Sequence, residues 1–591
     1  MTPEELCQKY NKIHAEIYEW FGIGFDIFGR TPTEQHTQIA QGLFTQLYQR
    51  DLLEEKTTDQ PYCETHGKFL ADRFIEGTCP TCGYEDARGD QCDKCGNLLD
   101  DPLDLLNPRC KVDGSKPERR PTKHAFLLLE KLQPKIEDFT KISKEKGVWS
   151  KNGRIITESW LKKGLKDRGI TRDLSWGVPV PLPGYDSKVL YVWFEACIGY
   201  PSITANYTPE WKQWWLNPEQ VKLYQFLGKD NVPFHSVIFP GCQIGSGDNW
   251  TMLHHLSATE YLNYENGKFS KSRGVGVFGN NAKATGVPPD VWRYYLMKNR
   301  PETGDTQFEW RSFIHSNNTE LLAKLGNCVN RIIKLVNSPK GYNSIIPDLF
   351  SVNNLPETFN PILAEVTDLV KQYLAEMEVV HLRAGVLLAM KVVEAGNSLI
   401  QSHRLDNTLI SKNPNLAAAV TGTVLNLVYL CSAIFEPYLP ATCASIRTQL
   451  NADFLQIPSE DDVTSGWKPT YLKAGHKIGG AAYLFTPIDE NKAEQWREMY
   501  GGNQEERKKK EEEAAKIAAK KAANKARAKE KKAAKREAGK TQEEAETEKA
   551  QNTNAEREIE RGESEGEVRV GEGEALQEVL DGVSQVTLPR S

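Results

Sequence analysis

Apolar positions recur along this chain in three rhythms. In "HTQIAQGLFTQLYQRDLL" they return every three or four residues, which predicts an amphipathic helix from His36 to Leu53. Between Tyr62 and Cys110 that periodicity gives way to Cys, Gly and Asp, the composition of a small metal-organised insert. Strand-like runs then return in "RGITRDLSWGVPVPL", "KVLYVWFEACIGY" and "VKLYQFLGKDNVPFHSVIFPG". They alternate with helical pieces, which predicts an α/β layer with a parallel sheet. Beyond residue 312 the period is helical throughout. Leu321, Leu325, Val329, Ile332 and Val336 open the pattern, Leu363 to Ile400 and Leu416 to Leu430 continue it, and together they predict a helix bundle.

One run, Leu416 to Phe435, approaches membrane length. It contains Thr, Gly and Asn and stops at Glu436-Pro437, so it reads as a buried bundle helix and no membrane segment is expected. At 591 residues the chain exceeds a single core, and its length suggests three or four domains. The polar, helix-like N-terminus lacks the charged-then-apolar order of a signal peptide, which points to the cytosol. The net charge of −6 hides an opposition within the tail. Arg507 to Lys540 holds fifteen Lys/Arg against five Glu, a net of +10, and Thr541 to Asp581 has a net of −10. The basic half suits either a solvated, helix-prone segment or an arm for nucleic-acid phosphates, and the acidic half reads as disordered.

The cysteines narrow the chemistry. Cys79, Cys82, Cys92 and Cys95 spell "CPTC" and "CDKC", each pair followed by glycine. Two-residue spacing turns both sulfurs of a tight turn toward one metal, and four thiolates suit a closed, structural Zn²⁺ site. The competing reading is redox pairs or disulfides. Cys63, His66, Cys110 and Asp113 flank this set, as a second metal site or as a degenerate one without metal.

Three constellations lie at strand ends. Trp193, Ala196 and Tyr200 in "YVWFEACIGY" suit either a pocket for a small apolar side chain or an ordinary aromatic core. Arg172 and Asp173 sit in "ITRDLSWG", and Lys229, Asp230 and His235 in "GKDNVPFHSVIF". "KFSKSRGVG" follows a hairpin signal at Asn266-Gly267 and groups Lys268, Ser270, Lys271 and Ser272. Two lysines among hydroxyls and glycines can close over a polyphosphate and stabilise its transition-state charge, or they belong to a basic surface hairpin. The P-loop pattern GxxxxGK[ST] is absent.

"KFSKS" resembles the KMSKS loop of class I aminoacyl-tRNA synthetases. With "YVWFEACIGY", the four-cysteine insert and the helical C-terminal half, the chain resembles the eukaryotic cytosolic methionyl-tRNA synthetases over about residues 1 to 500. The resemblance implies an ATP-dependent ligase that forms methionyl-adenylate and transfers methionine to tRNA(Met). Substrates would be methionine, tRNA(Met) and ATP with Mg²⁺, and Zn²⁺ would be structural. Other synthetases or a tRNA-binding cofactor are the partners to expect. Lys268 and Lys271 fall on the loop's two lysines, with Ser270 and Ser272 beside them. Trp193, Ala196, Tyr200 and His235 match methionine-pocket positions, and Arg172 and Asp230 match polar active-site positions. Cys79, Cys82, Cys92 and Cys95 match the zinc knuckle. Asn327 and Arg331 in "GNCVNR" lie one helical turn apart and match anticodon-reading positions. The absence of a large editing domain argues against the leucine, isoleucine and valine enzymes.

Departures from the family pattern are equally specific. Glu195 stands where Asp is usual and Cys197 where Thr or Pro is common, and "RLDN" (Arg404 to Asn407) occupies the place of a stacking Trp. None of the eleven histidines lies in a His-x-Gly-His or His-x-Gly-Asn arrangement. The resemblance therefore implies an N-terminally truncated chain lacking that ATP-contacting element, with a catalytically inactive tRNA-binding protein as the alternative reading. The expected fold class is α/β: an incomplete Rossmann-type catalytic domain with a zinc-knuckle insert, then an α-helical anticodon-binding bundle and a charged tail. Expected bounds are 1–32 and 172–262 for the two Rossmann parts, 33–171 for the insert, 263–312 for the loop region, 313–500 for the bundle and 501–591 for the tail.

Overall fold

The computed structural model describes residues 2–502 apart from 90, 91, 93, 94, 96–98, 100, 272 and 273. The charged tail beyond residue 502 and Ser272 lie outside the described residues. The helix expected from His36 spans Glu34–Gln49, begun by Thr33, whose hydroxyl accepts from the His36 amide at 3.3 Å. It buries His36, Ala40, Leu43, Phe44 and Leu47, a single helical face, against the helices Gly199–Tyr207 and Phe239–Ser246. By packing it is thus part of the α/β layer and not of the insert expected from residue 33. Asp51 turns left-handed (φ 54°) and Leu53 already begins a strand, so the helix stops short of its expected end.

The insert is built on a long antiparallel ladder, Leu53–Cys63 against Glu118–Leu127, in register from Leu53↔Leu127 to Tyr62↔Glu118. Beyond the ladder a three-stranded sheet orders Ala87–Arg88, Ile75–Thr78 and Leu106–Cys110. Among the described residues its core contains Cys63, Cys79, Cys92 and Cys110 with Leu70, Ile75, Ala87, Leu99 and Leu105, and Tyr84 packs against it partly buried. So small an apolar core needs a staple. The helices Leu129–Lys146 and Lys151–Lys163, expected inside the insert, pack instead on the strand Leu253–Thr259, the first of them also on the helix Phe239–Ser246.

The parallel pair predicted for the α/β layer is Leu223–Gly228 with Leu253–Thr259, connected through the helix that ends at Ser246. Two runs read as strands are largely helical. In "KVLYVWFEACIGY" only Val189–Leu190 is strand, paired with Thr171–Arg172, and helical turns start at Val192. The buried residues Phe194, Cys197, Ile198, Pro201 and Ser202 recur at helical intervals, a period too short in the sequence to separate from a strand run. "VPFHSVIFPG" is a buried helix with a wide π-turn at Phe234–Ile238. Pro240 lacks the amide that would bond the Ser236 carbonyl, and the turn widens so that the Phe239 amide reaches Phe234.

In the helical half, Leu321, Leu325, Val329, Ile332 and Val336 are all buried as their spacing predicts. Helices Asn360–Glu378, Leu382–Ser402 and Pro414–Ile434 pack in succession. Pro414–Ile434, the run of membrane length, is enclosed by its neighbours, and its Asn426 bonds Gly422 and Leu472. The same apolar cluster reaches back to Tyr264, so the loop region and the bundle share a core across the boundary expected at residue 313.

Candidate active site and metal cluster

The KFSKS segment begins after a tight turn whose left-handed residues are Glu265 (φ 45°) and Asn266 (φ 65°), closed by reciprocal bonds between Tyr264 and Gly267. The hairpin is therefore one residue earlier than the Asn-Gly signal suggests, with Gly267 closing the turn. Ser270 and Val275 then exchange backbone hydrogen bonds of 2.8 and 3.0 Å, which holds the loop as a second small hairpin. At Gly276 (φ 116°) a Cβ would stand 2.2 Å from the Phe269 ring, so only glycine fits. Its amide donates to the Tyr500 carbonyl at 2.8 Å, tying the loop to the end of the last described helix.

Lys268 and Lys271 are both exposed but face different neighbours. Lys268 Nζ lies 5.7 Å from the centre of the Tyr261 ring, whereas Lys271 Nζ lies 5.6 Å from that of Phe278. Tyr261 donates its hydroxyl to Asp230 at 2.5 Å, and the Lys229 ammonium lies over the same ring at 4.1 Å. Lys268, Asp230 and Lys229 thus converge on one aromatic residue absent from the sequence-derived site. Burial, together with the Asp230 carboxylate, raises the Tyr261 phenol pKa and keeps it a donor. Lys229 bonds Glu260 and Asp305, which overcome burial to raise its pKa.

Behind this edge is the aromatic cluster. His235 is 6% exposed, with Nδ1 2.8 Å from the Asn231 carbonyl and Nε2 2.7 Å from the Tyr200 hydroxyl. Those partners suit a neutral imidazole that donates from Nδ1 and accepts at Nε2. Burial lowers the His235 pKa, and burial pushes that of Tyr200 up to about 12, so both groups stay neutral near pH 7. Tyr200 keeps 39% of its surface exposed. Trp193 meets Phe234, next to His235, edge-on at 5.3 Å. Ala196 is exposed at the start of the tight turn Ala196–Ile198.

Trp193 and Arg172 line one cavity of about 330 Å³ together with Tyr191 and Asp72. The Arg172 guanidinium lies 3.6 Å over the Tyr191 ring and 3.5 Å from Asp72, while its Nε is buried without a hydrogen-bond partner among the described residues. Tyr191 donates to Asp72 at 2.5 Å. Asp72 comes from the cysteine-rich insert, so the insert forms part of the cavity wall. Neither Asp72 nor Tyr261 carries a local motif, and only the fold brings them to the site. Asp173 turns away from the cavity toward Lys188, Thr122 and His124.

Two unusual residues find specific partners. The longer side chain of Glu195 reaches His36 Nε2 at 2.6 Å, and His36 Nδ1 lies 3.0 Å from the Ser202 hydroxyl. That hydroxyl already donates to the Gly199 carbonyl, so this Ser-His-Glu arrangement is a helix-to-helix clamp, with no free nucleophile. Cys197 is enclosed, and burial pushes its thiol up to about 12, which keeps it unreactive.

In the insert, the sulfurs of Cys79, Cys82, Cys92 and Cys95 lie within 4.8 Å of one another. Cys79 to Cys95 is 3.8 Å and Cys82 to Cys92 is 3.7 Å. Thiolates at about 2.3 Å from a tetrahedral ion stand about 3.8 Å apart, so this group can hold a metal. Burial opposes ionisation of Cys79, but the Cys82 and Thr81 amides outweigh it and bring the thiol down to about 7. Cys63, His66, Cys110 and Asp113 form a second such group, with Cys63 Sγ 3.0 Å from His66 Nδ1 and His66 3.7 Å from Asp113. Asn327 and Arg331 stand exposed on one face of the helix Asn327–Asn337, as their spacing predicts.

Residues 1–333 match the family model of class I (M) tRNA synthetases, and residues 353–505 match the anticodon-binding domain of methionyl tRNA ligase. The chain is 53% identical over 506 residues to the cytoplasmic methionine–tRNA ligase of Saccharomyces cerevisiae, covering 85% of this chain and 66% of the relative. Against the cytoplasmic methionine–tRNA ligase of Homo sapiens it is 46% identical over 506 residues, covering 55% of that protein. The chain thus spans less than two thirds of the length of these curated relatives. The solved Mycobacterium tuberculosis methionyl-tRNA synthetase bound by methionyl-adenylate shares the fold, with a TM-score of 0.63 at 16% identity over 82% of this chain and 87% of that one.

Proposed function

This chain belongs to the class I tRNA synthetases of the methionine group, and from that premise we propose that it works as a cytoplasmic methionine–tRNA ligase. The observation that carries the reading is the linkage of three features through Trp193 and the segment 230–235. They are the Trp193–Phe234 and Tyr200–His235 pairs, the Arg172 cavity, and the KFSKS loop tied to Asp230 through Tyr261. Trp193 offers a polarizable face to a thioether. Neutral His235 and Tyr200 bound the pocket without placing a charge against that apolar chain. Arg172 and Asp230 hold the polar groups of methionine and ATP, and the Nε of Arg172, without a partner among the described residues, is a donor for them.

ATP enters with Mg²⁺ as substrate. Lys268 and Lys271, with Ser270 and Ser272, hold its phosphates and neutralise the charge that builds as pyrophosphate leaves. Zn²⁺ bound by Cys79, Cys82, Cys92 and Cys95 stiffens the insert and thereby the Asp72 wall beside Arg172. The mixed Cys63, His66, Cys110 and Asp113 group is a second structural site of the same kind. Asn327 and Arg331 contact the anticodon of tRNA(Met). Other synthetases or a tRNA-binding cofactor would dock elsewhere on the chain, and the basic tail would add phosphate contacts.

Methionine-dependent exchange of pyrophosphate into ATP by the full chain, with zinc supplied, tests this. Exchange that falls by about 10²-fold or more in Lys271→Ala is expected from the loss of one positioned cation. Absence of exchange in soluble, zinc-loaded protein that still binds tRNA(Met) would replace the ligase reading with a noncatalytic tRNA binder. Removing residues 507–591 should weaken tRNA binding and flatten its salt dependence, and an unchanged slope would exclude the tail as a phosphate contact.

A further inference from the structure

The exposed face of the helix Asn327–Asn337 carries a third feature. Asn327, Arg331 and Lys334 recur there at four and three residues, all exposed, as one stripe. Residues 479–488 run back along this helix as an extended strap. Asn337 bonds the Gly479 carbonyl and the Ala481 amide, each at 3.0 Å. Asn318 bonds Ile488 at both its carbonyl (2.8 Å) and its amide (2.9 Å). Phe485 is buried beneath, so close to Gly326 that a Cβ there would meet its ring at 3.3 Å.

Between these anchors Tyr483 faces outward. Its ring is 72% exposed although the strap holds its backbone on both sides. Lys334 Nζ lies 3.0 Å from its hydroxyl and 4.6 Å from its ring centre. An exposed aromatic with a cation beside it has the make-up of a stacking platform for an unpaired base, with the ammonium available to a neighbouring phosphate. The segment Arg404–Asn407 offers no such platform. Leu405 is buried there, and Asp406 caps the helix Asn407–Lys412 at the Leu409 amide (2.9 Å).

We propose that Tyr483 is the base-stacking residue of the anticodon contact, working with Lys334 beside the Asn327–Arg331 face. The proposal rests on the reading of that face as the anticodon site. A planar π-face on a basic stripe favours single-stranded RNA over a protein segment as occupant.

The test uses the full chain and an RNA stem-loop bearing the methionine anticodon, with 2-aminopurine at each loop position in turn. One position should be quenched on binding. Tyr483→Ala should abolish that quenching and weaken binding about tenfold, while Tyr483→Phe keeps both. Equal loss in Tyr483→Phe would assign the effect to the hydroxyl–Lys334 bond and overturn stacking. Normal quenching and affinity in Tyr483→Ala, with Asn327→Ala and Arg331→Ala both weakened, would overturn the Tyr483 proposal and leave the anticodon face standing. If none of the three weakens binding, the anticodon reading falls and the Tyr483 proposal with it. Because Tyr483 is exposed, all its variants should melt with the parent chain.

Discussion

From Tyr264 to Tyr500 a single apolar cluster runs unbroken through the helical half; Asn426 is bonded within it, while the buried Thr423 hydroxyl has no hydrogen-bond partner among the described residues. The residues before Tyr264 divide their buried apolar side chains among three smaller clusters. Polar contacts supplement them: His36 with Glu195 and Asp173 with Lys188 and His124 join elements that share one cluster, and Arg172 with Asp72 joins the α/β layer to the insert. On the strand Leu223–Gly228, the side-chain amide of buried Gln225 has no partner among the described residues. The helical half is therefore held mainly by non-directional burial, whereas the front half depends on specific partners and an insert whose cysteines could hold a metal. That division suits the roles proposed for them, because a catalytic pocket needs polar groups at set distances and a base-reading surface can be carried on a well-filled core.

The largest effect should come from the insert. Replacing Cys79 and Cys92 with Ala should remove bound zinc and open residues 62–110 to proteolysis, since a structural zinc contributes about 10 kcal/mol of local folding energy. The bundle's melting should be unaffected, and unchanged zinc content would refute the knuckle. Next, Leu325→Ala in the helical cluster should cost about 2–5 kcal/mol in denaturant unfolding. A loss confined to a few tenths would mean that the bundle tolerates a cavity and is not tightly packed.

Asp173→Asn should destabilise the front half by about 2 kcal/mol at neutral pH. Burial opposes the Asp173 charge, but His124, Lys188 and Thr122 together hold its pKa down to about 2. Its folded pKa is below the unfolded one, so this stability is complete above about pH 4 and is lost as pH falls toward about 2. Acid unfolding of the substituted chain should lack that component, and an unchanged acid profile would show that Asp173 is not linked to folding. The smallest change is expected from Tyr200→Phe, which strips His235 Nε2 of its donor and should cost about 1 kcal/mol. The KM for methionine should rise about fivefold with kcat nearly constant, as for a lost ground-state contact of that size. A fall in kcat alone would move Tyr200 from binding to the chemical step.

Much of the helical half was legible because a 3.6-residue period survives over long stretches, and Leu321, Leu325, Val329, Ile332 and Val336 are buried where that period puts them. The four-cysteine group, which could hold a metal, was legible for the opposite reason: two CxxC turns act locally and need no distant partner. "YVWFEACIGY" misled because its helical period is too short to separate from a strand run, and "VPFHSVIF" because it is buried nearly throughout, which erases the contrast between helix and strand periods. The hairpin moved by one residue because Gly267, which any turn position tolerates, closes the turn while Glu265 and Asn266 take the left-handed places.

Element type, the cysteine pairs, the lysine loop and the shared face of Asn327 and Arg331 depend on neighbours a few residues away, and the chain displays them directly. Tyr261 beside Asp230, Asp72 beside Arg172, Glu195 beside His36 and Tyr483 beside Lys334 join residues far apart along the chain. Each such pair exists only after separate elements have packed. A hydrogen bond or ring contact acts over a few ångströms, and only folding brings such distant groups within that range.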